Sequence, residues 1–392
     1  MVKISHEVRQ EEDYIRQTRR YLHQHPELSL QEFETAKFIR QELDKIGVDY
    51  VTVGETGTLG LIEGDHPGKT IFLRADIDAL GLDDLSGTAY ASVNQGVSHA
   101  CGHDGHVAAL LGAARVLVNN KDKIYGRVKL AFQQAEENGS GARLFVADGH
   151  LEDVDFAFGI HAASYFDVGV VSAAPGPSMA SVDIFTIKVR GNASHAATPH
   201  LGADAALATA NILTNLQALA ARQRNPLEPI VISVGKIEAG TSYNIVASNG
   251  YLHGTLRTLN NKTRARLIQK IEDMAKSVGE IHGCQTSFEN FEAANVLNND
   301  EEITRYAHFI SQGVIDSDKI LKDTPPSLGG EDFADYAAVV PAVFVKVGTR
   351  SDEKTGYPHH HEKFDMDEEG LVISAQLHVD TVFRWQEFFK ED

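Results

Sequence analysis

Cysteine is scarce in this chain: Cys101 and Cys284 are the only two in 392 residues. Two thiols cannot build a disulfide framework, which points to a reducing compartment. Positive charge is short as well. Lys and Arg number 36 against 55 Asp and Glu, a net charge of −19. Nucleic acid and anionic membrane surfaces both call for a basic face, so neither is an expected partner. No apolar run reaches the roughly 18 residues a membrane-spanning helix needs. The opening Met-Val-Lys-Ile-Ser-His-Glu has no apolar signal core, so secretion is not expected and the cytoplasm is the expected location. Internal repeats and low-complexity segments are missing too.

What is present suffices for a large core. At 42% hydrophobic over 392 residues, two domains are expected rather than one. Phe33, Ala36, Ile39, Leu43 and Ile46 recur at helical spacing before Gly47 ends the helix. Short apolar runs follow at Tyr50–Val53, Leu59–Ile62 and Ile71–Leu73. Val107–Val118 reads as a buried helix, and Val128–Phe132 and Phe156–Ile160 as strands. Alternating strands and helices predict an α/β domain with a mixed, largely parallel sheet flanked by helices. Near residue 181 the pattern changes. A half-buried strand (Phe185, Ile187, Val189) leads into a helix at Ala203–Ala221, strands Ile230–Ile237 and Gly250–Arg257, a helix Lys262–Val278 and a strand near Thr286–Phe291. That β-α-β-β-α-β order predicts a ferredoxin-like α+β domain over 181–292, inserted in a domain built from 1–180 and 293–392.

The densest chemistry lies in His99-Ala-Cys101-Gly-His103-Asp104-Gly-His106. Thiolate and imidazole suit zinc and its neighbours, and carboxylates complete such shells. Taken alone, Cys101 is more readily a small buried residue. Gly102 and Gly105 allow sharp turns between ligands. Glu136-Glu137 follows the strand Val128–Phe132. Adjacent residues leaving a strand point apart, so one carboxylate can ligate while the other faces water; the plain alternative is an exposed acidic loop. Asp76 and Asp78 follow a buried strand and suit either turn chemistry or the orienting of metal-bound imidazoles. His161 stands at a strand end. Of His359, His360 and His361, at most two can face one pocket. His195, Asn244 and Arg257 are unremarkable alone, although an Arg at a strand end suits a carboxylate.

In order, these motifs resemble the co-catalytic metal amidohydrolases that include hippurate hydrolase, N-acyl-amino-acid amidohydrolases and the plant auxin-conjugate hydrolases. The resemblance runs through Arg20-Tyr-Leu-His23-Gln-His-Pro-Glu27-Leu, Arg74-Ala-Asp76-Ile-Asp78-Ala-Leu, the Cys101 motif, Gln134-Ala-Glu-Glu137 and Gly159-Ile-His161. It continues through Ser194-His195-Ala-Ala-x-Pro199, Gly254-Thr-Leu-Arg257, Gly329-Gly-Glu331-Asp332-Phe333 and His360-x-x-x-Phe364. It implies a metallopeptidase-type catalytic domain and two divalent ions (manganese, zinc, cobalt or nickel) on Cys101, His103, Glu137, His161 and His360. Cys101 would face both ions, and the choice of His360 rests on its spacing to Phe364. The resemblance further implies Glu136 as general base, Asp78 as the acid behind the ligands, and Asn244 and Arg257 as holders of a substrate carboxylate. His195 would be supplied by the lid of a neighbouring subunit in a homodimer. The implied reaction is hydrolysis of an N-acyl amino acid to a carboxylic acid and a free amino acid. A dipeptidase or carboxypeptidase-like exopeptidase is the alternative, and a metal-binding protein without catalysis a remote one. Gly81 and Asp84 stand where the family usually has Pro and then Glu, so the loop after Asp78 is expected to differ in shape.

Overall fold

The computed structural model describes residues 2–389; the expected outer bounds of the catalytic domain, 1 and 392, lie outside them. The chain divides into two compact units. One comprises Met1–Ser178, Asn298–Pro325 and Asp332–Asp392; the other comprises Met179–Leu297 with Pro326–Glu331.

The first unit is built on an eight-stranded sheet. Its strands lie in the order Asp49–Val53, Gly57–Glu63, Tyr125–Gln133, His66–Asp76, Phe156–Asp167, Ala342–Arg350, Val171–Ser172, Ile320–Leu321. The central pairs are parallel. The first strands form an antiparallel hairpin, because residues 54–56 are too few for a crossover. The sheet is therefore mixed, with its parallel ladder in the middle. Register pairs Asp76 with Gln133 and Arg74 with Gly159. One carboxyl edge thus carries Asp76, the segment after Gln133, and His161, where α/β sheets build their sites.

The helix His103–Val118 is buried along almost its whole length. Small residues let its neighbours come close. A Cβ on Gly112 would meet Ile15 at 2.5 Å, and one on Gly105 would meet Leu371 at 2.7 Å. Those contacts seat it between the helices Glu12–Gln24 and Glu369–Phe383.

The second unit has a four-stranded antiparallel sheet in the order Gln285–Ala294, Ser181–Arg190, Asn249–Thr258, Ile230–Ala239. That is the ferredoxin-like order. Helices Ala205–Arg222 and Asn261–Ile281 cover it around Phe185, Ile187, Leu252, Leu216 and Leu267. Asp204 and Asn260 cap those helices by accepting backbone N–H groups. Among the described residues no helix is long and apolar enough to cross a membrane.

One core histidine gives a pH prediction. His378 sits in the helix Glu369–Phe383, 1% exposed, against the Phe158 ring. Burial, helped by His106, pushes it down from 6.5 to about 3. Below pH 6.5 the unfolded chain takes up a proton that the folded chain refuses. Stability should therefore fall as pH drops from 6.5 towards 3, by up to about tenfold in the folding equilibrium per pH unit for this group. His378→Leu should flatten that slope in denaturant titrations at pH 7 and 5. An unchanged slope would refute it.

Candidate metal centre

Gly102, at φ 92°, turns the chain sharply between Cys101 and His103. A side chain there would meet Met366 at 3.0 Å and Ala162 at 3.2 Å. His103 is fully buried. Its Nδ1 lies 2.9 Å from the Asp78 carbonyl and 3.2 Å from Asp78 Oδ1. Both partners are acceptors, so Nδ1 carries a proton, and Nε2 turns inward, where it holds either a second proton or, once that is displaced, a metal cation. That Nε2 and Glu137 Oε1 are buried without a hydrogen-bond partner. Orphaned acceptors facing each other cost free energy unless a cation lies between them.

The donor spacings suit such a cation. Glu137 Oε1 lies 3.9 Å from His103 Nε2, and Cys101 Sγ lies 3.6 Å from His161 Nε2. Cys101, His103 and Glu137 each place one donor within 4.8 Å of the others. Ligands sharing a tetrahedral ion at ordinary bond lengths stand roughly 3.3–3.8 Å apart. Burial works against a His103 cation, yet Asp76, Asp78 and Glu137 outweigh it and raise the ring to about 10. A site that holds a proton so firmly suits a divalent cation in its place.

Glu136 and Glu137 leave the strand Tyr125–Gln133 through Ala135, a buried residue at φ 54°. An alanine in that region costs roughly 1–2 kcal/mol, so the surroundings must hold it there. The next turn is also held: Glu137 N–H donates to Asp78 Oδ2 at 3.0 Å. Asp78 therefore supports both His103 and Glu137, and accepts from Ser29 as well. Burial opposes its charge, but the His103 hydrogen bond prevails and lowers its pKa. Glu136 Oε2 lies 4.0 Å from His103 Nε2, so both carboxylates of the pair face one imidazole.

The late histidines divide. His361 turns away, stacking on Tyr357 and accepting from Lys363 N–H. His360, at φ 63°, is pinned by its N–H to the Ala100 carbonyl and places Nε2 3.4 Å from Glu137 Oε2. His359 packs on His161 and Phe364, and its Nε2 is buried without a partner. The structure thus gathers His161, Cys101, His103, Glu137 and His360 into one chain of donors, with His359 at its edge.

His106 lies close enough to Asp76, His103 and His161 to count as a fourth donor, but its valences are spent. Nε2 accepts the Ala162 N–H at 2.8 Å, and Nδ1 faces Asp76 Oδ1. Asp76 in turn pairs with fully buried Arg74 at 2.6 Å. This pair holds the strand ends together.

In the second unit, exposed His195 and Asn244 are neighbours. Ala196 N–H donates to the Asn244 carbonyl, and His195 bridges to Ile245. His195 Nδ1 accepts from Ala197 N–H at 3.0 Å, which leaves the proton on Nε2. Arg257 donates Nη1 to the Leu328 carbonyl at 2.9 Å, leaving its other N–H groups for a ligand. Register sets Asn249 opposite Arg190 and Arg257 opposite Val182, at the two ends of one ladder. Those ends are roughly 27 Å apart at the usual rise of a strand. Asn244 therefore keeps company with His195, and within one chain it cannot share a carboxylate with Arg257.

Two supporting groups, Arg19 and His23, were given no role from the sequence. Arg19, 0% exposed, joins Asp104 at 2.9 Å to Asp365 at 2.7 Å. It ties the first turn of the helix carrying His103 to the loop carrying His360. His23 also faces Asp104, at 2.8 Å. Asp84 turns towards His23 and accepts from Ser86 and Ser92 N–H, which shapes the loop after Asp78. His23 lies inside the Arg20–Leu28 motif, Arg19 directly before it, and Asp104 inside the Cys101 motif, which was the available clue.

The model of Peptidase family M20/M25/M40 matches residues 72–384. Thermostable carboxypeptidase 2 of Saccharolobus solfataricus is 37% identical over 384 residues, 96% of this chain and 96% of that protein. N-acetyl-L-cysteine deacetylase of Bacillus subtilis is 38% identical over 362 residues, 91% of this chain and 84% of that one. A Bacillus subtilis structure described as a dinuclear metal-binding peptidase of the M20 family superposes with TM-score 0.84 at 32% identity, covering 97% of this chain and 100% of that one. The chain accordingly belongs to Peptidase family M20/M25/M40, and is a metal-dependent hydrolase of its amidohydrolase and peptidase class.

Proposed function

We propose that the protein hydrolyses the amide bond of N-acyl amino acids, releasing a carboxylic acid and a free amino acid. The observation that carries this is the Glu136–Glu137 pair, two adjacent carboxylates turned to one buried imidazole. Glu137 joins Cys101, His103, His161 and His360 as ligands for two divalent ions. Such ions supply Lewis acidity, acidifying water and polarising the scissile carbonyl. Glu136 takes the proton of the attacking water and delivers it to the departing nitrogen as the C–N bond breaks. The His195 Nε2–H donates to the developing oxyanion, with Asn244 beside it, and Arg257 holds the free carboxylate of the substrate.

The ladder that separates His195 from Arg257 supports the view that His195 comes from a second copy. Ile230–Ala239 is an edge strand, exposed over much of its length, and suits pairing with its like. His195→Ala should lower kcat about 10²–10³-fold with bound metal unchanged. Mixing it with Glu136→Gln should regain about a quarter of parental activity, because each mixed dimer of a twofold pair restores one complete site. A mixture that stays inactive after subunit exchange would contradict the shared site.

The carboxypeptidase relative favours a second reading, an exopeptidase on the same scaffold. A panel of N-acetyl, N-benzoyl and longer N-acyl amino acids against dipeptides separates the two. Cleavage of acylated substrates alone supports the proposal, and cleavage of dipeptides alone supports the exopeptidase.

A further inference from the structure

Glu32 lies far from Glu136 in sequence and was not part of the site read there. It opens the helix Phe33–Lys45 and is 0% exposed. Its Oε2 accepts the Thr56 hydroxyl at 2.8 Å, and its Oε1 accepts the Ala135 N–H at 2.9 Å. Ala135 is the left-handed residue directly before Glu136. Its carbonyl is held from the other side by Ser140 and Gly141 N–H. Asp78 takes the N–H of Glu137, one residue beyond. Two buried carboxylates therefore bracket Glu136, one accepting the N–H of the residue before it and one the N–H of the residue after it.

A left-handed alanine is not a local preference of the chain. If the Ala135 peptide relaxed to a right-handed or extended conformation, the direction in which Glu136 leaves the strand would change. Asp78 cannot prevent this alone, since it acts beyond Glu136. Among the described residues, the other backbone hydrogen bonds to Ala135 are the two to its carbonyl, at 3.2 and 3.3 Å.

We propose that Glu32 is a positioning residue for the general base: its carboxylate locks the Ala135 peptide in the left-handed conformation that aims Glu136. This inference rests on the assignment of Glu136 as base. Glu32 touches no substrate; it acts through Ala135.

The test is a set of variants made in the full-length, metal-loaded protein. Glu32→Leu removes both acceptors at similar volume. It should lower kcat about 10- to 100-fold, as small misplacements of a reacting group do, with KM and metal content unchanged. Glu32→Gln should recover most of that loss, because its amide oxygen can take the Ala135 N–H while its NH2 donates to Thr56. Adding Ala135→Gly to Glu32→Leu should also restore kcat at least severalfold, because glycine enters the left-handed region without a clamp. Where Glu32→Leu folds poorly, Glu32→Ala replaces it in the same comparison. Parental kcat in the folded Leu or Ala variant would overturn the proposal. So would a loss that neither Gln at 32 nor Gly at 135 relieves, or one that tracks metal loss. Glu136→Gln, run alongside, separates the layers. If it stays active, the assignment of the base fails; if it is inactive while the Glu32 variants are unimpaired, only the positioning role fails.

Discussion

Glu136→Gln is expected to lower kcat by about 10²–10⁴-fold while KM and bound metal stay near parental values. The substitution keeps size and hydrogen bonding but removes the group that accepts and returns a proton. A loss confined to kcat marks an interaction used in the transition state rather than in binding. Glu137→Gln should behave differently. Glu137 Oε1 is one of the orphaned acceptors facing His103, so weakening it should release metal, and added metal should partly restore turnover. Steady-state kinetics with metal analysis on both variants distinguishes adjacent residues doing different work. Loss of metal from Glu136→Gln, or its full activity, would reverse or remove the assignment.

The second large effect concerns stability. Arg19→Met should cost about 3–5 kcal/mol, because it leaves buried carboxylates without their cation. Arg19 and Asp104 are both 0% exposed, and Asp365 and Glu368 also look to this guanidinium. Against a usual total of about 5–15 kcal/mol, that is a large fraction. Metal affinity should fall too, since Asp104 adjoins His103 and Asp365 lies in the His360 loop. Adding Asp104→Asn should recover part of the loss, because one uncompensated charge goes with it. Denaturant titration and chelator competition measure the two effects. A cost below about 1 kcal/mol would show that the network relaxes around the missing cation.

Much of this arrangement was legible in the chain. Strand and helix periodicities pointed to the α/β body with its mixed sheet and to the β-α-β-β-α-β insertion, because apolar spacing records which face is buried. The donors now gathered at one sheet edge stood out because thiol, imidazole and paired acids followed strand ends. What stayed hidden depends on distant partners or backbone twist. His106 looks like any other imidazole of its motif, and only the Ala162 N–H shows that its lone pair is spent. Nothing local marks Ala135 or His360 as left-handed, and so nothing marks Glu32. The separation of Asn244 from Arg257 is a matter of register across a ladder, which no motif spacing encodes.

The central claim is that this donor cluster makes the protein a metal-dependent hydrolase of N-acyl amino acids. The most direct measurement strips the protein with chelator and refills it separately with manganese, zinc, cobalt or nickel. Release of free amino acid from N-acetyl, N-benzoyl and longer N-acyl amino acids is then followed beside dipeptides. The account predicts no release from the stripped protein and restored release from acylated substrates with at least one metal, at two ions per chain. Undiminished activity without metal, or silence on every acylated substrate with every metal, would contradict it.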